Sequence, residues 1–241
     1  MTTDQPTSPF NLTYRPIRKP AEMAEYRLIE AILNNTFPIN SNLPAERELS
    51  ELIGVTRPTL RETLQRLARD GWVEIHQGKP TRVRDYWKEG CLGVLNTLSE
   101  HLDQLPKDFI TDLLNVRLAM APTYTSQAVK LAPDEVLQIL DERHQLDQSP
   151  EQFTQFDWSL QHRLTVLSQN PVFVMILNSF KDLFLNLAPF YFSIPEARDH
   201  SKLYYANMAK ATTEHDPQQA GLLTENIMQE SLYFWLQTQF I

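Results

Sequence analysis

The chain has 241 residues, 42% of them hydrophobic and 22% charged, which excludes a disordered polymer and leaves room for one large or two ordinary globular domains. Its single cysteine, Cys91, excludes an internal disulfide framework or a cysteine-based zinc cluster and fits a reducing cytosol. A net charge of −8 would by itself argue against nucleic acid, but residues 1–88 hold 13 Lys+Arg against 11 Asp+Glu, while residues 89–241 hold 9 against 19.

Residues 1–20 are polar, contain Pro6, Pro9, Pro16 and Pro20, and show no period, so a flexible N-terminal arm is expected. No secretory leader opens the chain, and a cytoplasmic location is expected. From Ala21 to Asn35, Met23, Tyr26, Ile29, Ile32 and Leu33 recur at helical spacing until Phe37-Pro38 breaks the pattern. Pro44 suits the first turn of a second helix through "AERELSELIG", with Leu49, Leu52 and Ile53 facing inward and Gly54 as its stop. The turn "GVT" leads into "RPTLRETLQRLARDG", where Leu60, Leu64 and Leu67 share a face. There Thr56 is placed to cap, Pro58 falls in the first turn and Gly71 ends the helix.

Two short helices joined by a tight glycine turn are the mark of a helix-turn-helix. "WVEIHQGKPTRVRDYW" then reads as a β-hairpin: Val73 and Ile75 alternate, Gln77-Gly78-Lys79-Pro80 turns, and Val83 returns. Residues 21–84 thus read as a winged helix-turn-helix domain, followed by a linker at 85–91. Within 54–88 the basic residues outnumber the acidic ones 8 to 4. Major-groove readout places the first residues of a recognition helix against base edges, here Thr56, Arg57, Thr59 and Arg61. Arg47 on the preceding helix and Lys79 at the wing tip suit phosphate or minor-groove contacts. The plainer alternative is a helical fragment beside a hairpin, with Arg57, Arg61, Arg66 and Arg69 merely solvated.

Residues 92–241 read as helical throughout, with segments expected at 92–103, 106–131, 133–147, 150–169, 171–193, 195–212 and 216–240 and a bend at Pro122. The fold class is therefore mostly α: a winged domain with a small β-hairpin, then an all-α bundle whose interior has room for a ligand. The longest apolar stretch, Val172 to Phe192, carries Asn178, Lys181, Asp182 and Asn186, which fits a buried helix better than a membrane span, so no membrane partner is expected. Phe180, Phe184, Leu187 and Tyr191 recur along one helical face, and Tyr233, Phe234 and Trp235 lie near the end; such stripes serve as core or as pocket, and both readings stand. There is no nucleophile elbow, glycine-rich phosphate loop or metalloprotease motif, and with six glycines in the chain an enzyme is not expected.

"LPAERELSELIGVTRPTLRETLQRLARDGWVEIHQGKPTRV" resembles the DNA-binding domain of the GntR family of transcriptional regulators, within it the FadR subfamily that governs fatty acid metabolism. The resemblance continues through "FYFSIPEAR" and "ESLYFW". It implies a homodimer on a palindromic double-stranded operator, repressing or activating according to promoter geometry. Arg47, Thr56, Arg57, Thr59, Arg61, Gly78 and Lys79 would be the DNA contacts. Pro58 departs from the subfamily's threonine, and His76-Gln77 inverts its wing order, so that Gln77 takes the place of a wing histidine. The helical domain would sense an effector. In the subfamily this is long-chain acyl-CoA, and Tyr191, Glu230, Ser231 and Trp235 align with the ligand region, where Met228 replaces a glycine and Phe240 a lysine. Other GntR relatives hold a metal through an aspartate and three histidines to capture a small carboxylate. Asp157 matches the aspartate, but Gln161, with His162 one residue later, Ala206 and Gln229 stand at the histidine positions, so no metal and no cofactor is expected. A regulator answering such a metal-bound carboxylate is the alternative.

Overall fold

A computed structural model describes residues 19–237, which form two compact units: residues 19–69 with 73–83, and residues 70–72 with 84–237. Most of the expected N-terminal arm and the tail from residue 238 onward, Phe240 included, lie outside the described residues.

The first unit contains α1 (Pro20–Leu33), α2 (Glu46–Ile53), α3 (Arg57–Asp70) and a two-stranded hairpin, β1 (Val73–Glu74) with β2 (Arg82–Val83). Pro20 belongs to the first turn of α1 rather than to the arm, because its missing N–H needs no partner there. The buried stripe of α1 is Ala24, Leu28, Ile29 and Ile32, so Met23, Tyr26 and Leu33 sit at its edges. Pro44 precedes α2 instead of entering it. Leu49 and Ile53 point into the core, but Leu52 is 63% exposed, against expectation: α2 has only two turns, and a residue one step from Ile53 is rotated about 100° away. Leu60, Leu64 and Leu67 of α3 complete the core.

Gly54 closes α2 at φ +78°, with its N–H bonded to the Ser50 carbonyl. Arg27 of α1 donates to the Ile53 carbonyl at 2.5 Å, satisfying a helix end that has no partner of its own. A Cβ at residue 54 would lie 3.1 Å from that guanidinium. Gly54→Ala is accordingly expected to destabilise the unit by about 1–2 kcal/mol, the cost of a side chain in left-handed backbone. The check is a lower urea midpoint at an unchanged slope.

The hairpin pairs Val73 with Val83 and Glu74 with Arg82. Ile75 lies past the end of β1 and is 39% exposed, so the apolar alternation stops sooner than the sequence implies. Residues 40–43 supply a further edge: Val83 N–H bonds the Ser41 carbonyl at 2.8 Å, and Leu43 N–H bonds Thr81 at the same distance.

The second unit is helical throughout. Its helices are α4 (Tyr86–Glu89), α5 (Gly93–Leu98), α6 (Phe109–Leu131), α7 (Pro133–Asp141), α8 (Pro150–Leu167), α9 (Pro171–Asn178), α10 (Lys181–Phe192), α11 (Pro195–Thr213) and α12 (Pro217–Gln237). Five of them begin on a proline. Ser149 and Asn170 cap α8 and α9 by accepting from the N–H groups of Gln152 and Val172. Three expected segments are shorter: 92–103 yields α5 alone before a single 3-10 turn, 106–131 starts at Phe109, and 133–147 ends in a 3-10 turn from Glu142. Expected as one helix, 171–193 breaks at Ser179-Phe180, and α9 and α10 meet at 66°. Ser179 Oγ bonds back to the Met175 carbonyl, and Phe180 turns its side chain inside, 5% exposed. Among the described residues no single helix is long and apolar enough to cross a membrane. Gly221 lets α12 approach α6, since a Cβ there would stand 3.3 Å from the Pro122 carbonyl.

Candidate functional site

Chemistry-bearing residues gather in two places, one in each unit. In the first unit they lie on α2, on the start of α3 and on the wing. Arg47, Thr56, Arg57 and Arg61 are exposed, and Thr59 is half-buried. Thr56 caps α3: its hydroxyl stands 3.4 Å from the Thr59 N–H and 2.8 Å from the Thr59 hydroxyl. The side chains of Arg57 and Arg61, one turn apart, are 54% and 61% exposed. Glu46, the first residue of α2, meets both. Arg61 Nε donates to Glu46 Oε2 at 2.8 Å, and Arg57 Nη2 lies 3.8 Å from the same oxygen. Reading the sequence missed Glu46, because an acid in the first turn of a helix looks only like a helix stabiliser.

At the wing tip Gln77, Gly78 and Lys79 are all exposed. Gly78 takes φ +72°, and open space surrounds its Cα. His76 turns back from the tip, its Nε2 3.2 Å from Glu74 Oε1. Arg82 holds that carboxylate from the paired strand with two donors at 3.0 and 3.1 Å, and these bonds keep the Glu74 carboxyl below its ordinary value. Gln77 and Lys79 are thus exposed at the tip, and His76, also exposed, lies beside Glu74.

In the second unit a cavity of about 80 Å³ lies among α6, α8, α10, α11 and α12. Phe180, Phe184, Leu187 and Tyr191 all line it, so the aromatic stripe is both core and pocket wall. Of the four aligned ligand residues, Tyr191, Ser231 and Trp235 line the cavity, together with Met228. Glu230 does not: it is exposed, and its Oε2 lies 2.8 Å from His200 Nδ1.

The wall also carries a polar cluster that the sequence did not reveal. Arg117 of α6 lies 3.7 Å from Asp157 of α8, each side chain 14% exposed, and the guanidinium sits 5.1 Å from the Phe184 ring centre. Tyr205 donates to Asp157 at 3.1 Å, and Tyr124 donates to Gln161 at 2.6 Å. Burial raises the Asp157 carboxyl above its ordinary value, while Arg117 and the hydrogen bonds pull it down. Burial likewise raises the hydroxyls of Tyr124, Tyr204 and Tyr205, which stay protonated as donors at neutral pH. The one sequence signal was Arg117 itself, a lone cation in the apolar run "LLNVRLAM".

The positions that align with a metal site are otherwise engaged. Asp157 and Gln161 are tied into this cluster, His162 stacks on Trp158, and Ala206 and Gln229 are exposed. Among the described residues no group of three or more His, Cys, Asp or Glu is placed to hold a metal ion.

A helix-turn-helix with a basic recognition helix and a wing, carried by a chain whose second unit is a helical bundle, defines a DNA-binding transcription regulator. Residues 20–83 match the bacterial regulatory proteins of the gntR family, and residues 84–240 match the FadR C-terminal domain. The chain belongs to the GntR family of bacterial regulatory proteins, in its FadR branch. It is 45% identical over 192 residues to the fatty acid metabolism regulator protein of Shewanella sp. (strain ANA-3), covering 78% of each chain. To the protein of that name from Pectobacterium carotovorum subsp. carotovorum (strain PC1) it is 41% identical over 220 residues, 90% of this chain and 91% of that one. A solved structure of Lar, which controls expression of the Listeria monocytogenes agr system, shares the fold at 17% identity and a TM-score of 0.64, covering 93% of this chain and all of that one. The family and these relatives are transcription regulators, not enzymes.

Proposed function

We propose that the chain acts in the cytosol as a homodimeric regulator of fatty acid metabolism genes, binding a palindromic operator and leaving it when long-chain acyl-CoA enters the helical unit. The observation that carries the effector is the cavity: its wall is chiefly aromatic and aliphatic, and it contains three of the four aligned ligand residues. The relatives' name supports the regulated genes. Gln77 and Lys79 at the wing tip, with Arg47, Thr56, Arg57, Thr59 and Arg61, form the operator surface.

Size makes the cavity a switch. At about 80 Å³ it is smaller than the roughly 150 Å³ that admits benzene, so a long acyl tail requires the surrounding helices to move. A tail of about fifteen methylenes gains roughly 12 kcal/mol on leaving water, at about 0.8 kcal/mol each. Reversing a 99:1 equilibrium takes about 5.5 kcal/mol of differential affinity, which must come from what remains of that gain after association and ordering of the tail, and only if the opened form alone buries it.

The test is fluorescence anisotropy on a FadR-type palindromic duplex with and without long-chain acyl-CoA. The expected result is an operator Kd raised about tenfold or more at saturating ligand, against no change with free CoA. Identical operator affinity with and without ligand refutes the effector.

A further inference from the structure

Arg57 and Arg61 face one carboxylate, that of Glu46, which is itself 37% exposed on a surface meant to meet a polyanion. For affinity alone this is the wrong charge. In any register that brings a phosphate close, it offsets part of the attraction exerted by the two arginines. Its geometry explains what it contributes instead. With Arg61 Nε bonded to Glu46, only the terminal Nη1/Nη2 edge of the guanidinium is left to donate two parallel bonds outward. Two parallel donors match guanine O6 and N7, whereas a phosphate accepts from any edge and carries no sequence information.

We infer that Glu46 is a positioning residue for base selectivity: through Arg61 it presents one guanidinium edge to a base pair, and through its charge it weakens binding wherever the arginines meet phosphates. The inference rests on DNA binding through α3, and on neither operator symmetry nor the effector. Glu46 also lies in the first turn of α2, where an acid stabilises a helix electrostatically. That role alone changes stability and leaves selectivity untouched.

The experiment selects duplexes from a random-sequence pool with the full chain. It then measures Kd for a selected duplex and for a scrambled one of the same composition, at two salt concentrations, with thermal unfolding followed in parallel. For Glu46→Ala, which removes both the charge and the acceptor for Arg61 Nε, the expected result is tighter binding to the scrambled duplex, a steeper salt dependence, and a selected-to-scrambled preference reduced about tenfold. Glu46→Asp keeps the charge but is one methylene short; it is expected to restore the salt dependence and not the base preference. A Glu46→Ala chain with the wild-type preference and salt dependence, altered only in thermal stability, overturns the inference.

Discussion

Replacing Arg117 with methionine is expected to lower the stability of the helical unit by about 3 kcal/mol at pH 7, the low end for breaking a buried ion pair, and to make the remainder depend on pH. The Arg117 and Asp157 side chains are each only 14% exposed, so removing the cation leaves a buried carboxylate held only by neutral donors such as Tyr205. Burial already raises the Asp157 carboxyl above its ordinary value, and Arg117 is the largest influence opposing it. Without Arg117 the carboxyl rises further. A carboxyl raised on folding contributes stability that is fully present below its unfolded value, about 3.9, and is lost as pH rises through the folded value. The variant should therefore have a lower urea midpoint at pH 7 than at pH 5, with a larger difference than in the wild type. Adding Asp157→Leu should recover part of the loss, because it removes the uncompensated carboxylate but leaves the buried Tyr205 hydroxyl without its acceptor. An equal loss at both pH values would show that Asp157 is not the group responsible.

Arg57→Ala is expected to weaken specific DNA binding by about 1–3 kcal/mol, roughly five- to 150-fold in Kd, and to relax the preference at one base position. The arginine is 54% exposed, and its contact within the chain is a 3.8 Å approach to Glu46, so folding stability should change by no more than about 0.5 kcal/mol. A loss confined to DNA, with unfolding unchanged, separates a contact from a structural effect. Unchanged affinity together with unchanged preference in a repeated selection would remove Arg57 from the interface.

Much of the fold was legible in the sequence because its demands are local. Gly54 and Gly71 stop helices in left-handed backbone. Pro133, Pro150, Pro171 and Pro195 start helices where the sequence placed them, each requiring only its own backbone geometry. The break at Ser179-Phe180 was illegible because neither proline nor glycine marks it.

By itself the sequence determined the winged helix-turn-helix and the all-helical second unit, since period, caps and turns act over a few residues. Only the tertiary structure decided that Glu46 would grip Arg61, that Arg117 would face Asp157 inside an apolar cavity, and that Glu230 would turn outward to His200. Each of these pairs joins two different helices. Helical periodicity specifies which face of a helix is buried, while the partner across that face is set by how the helices pack.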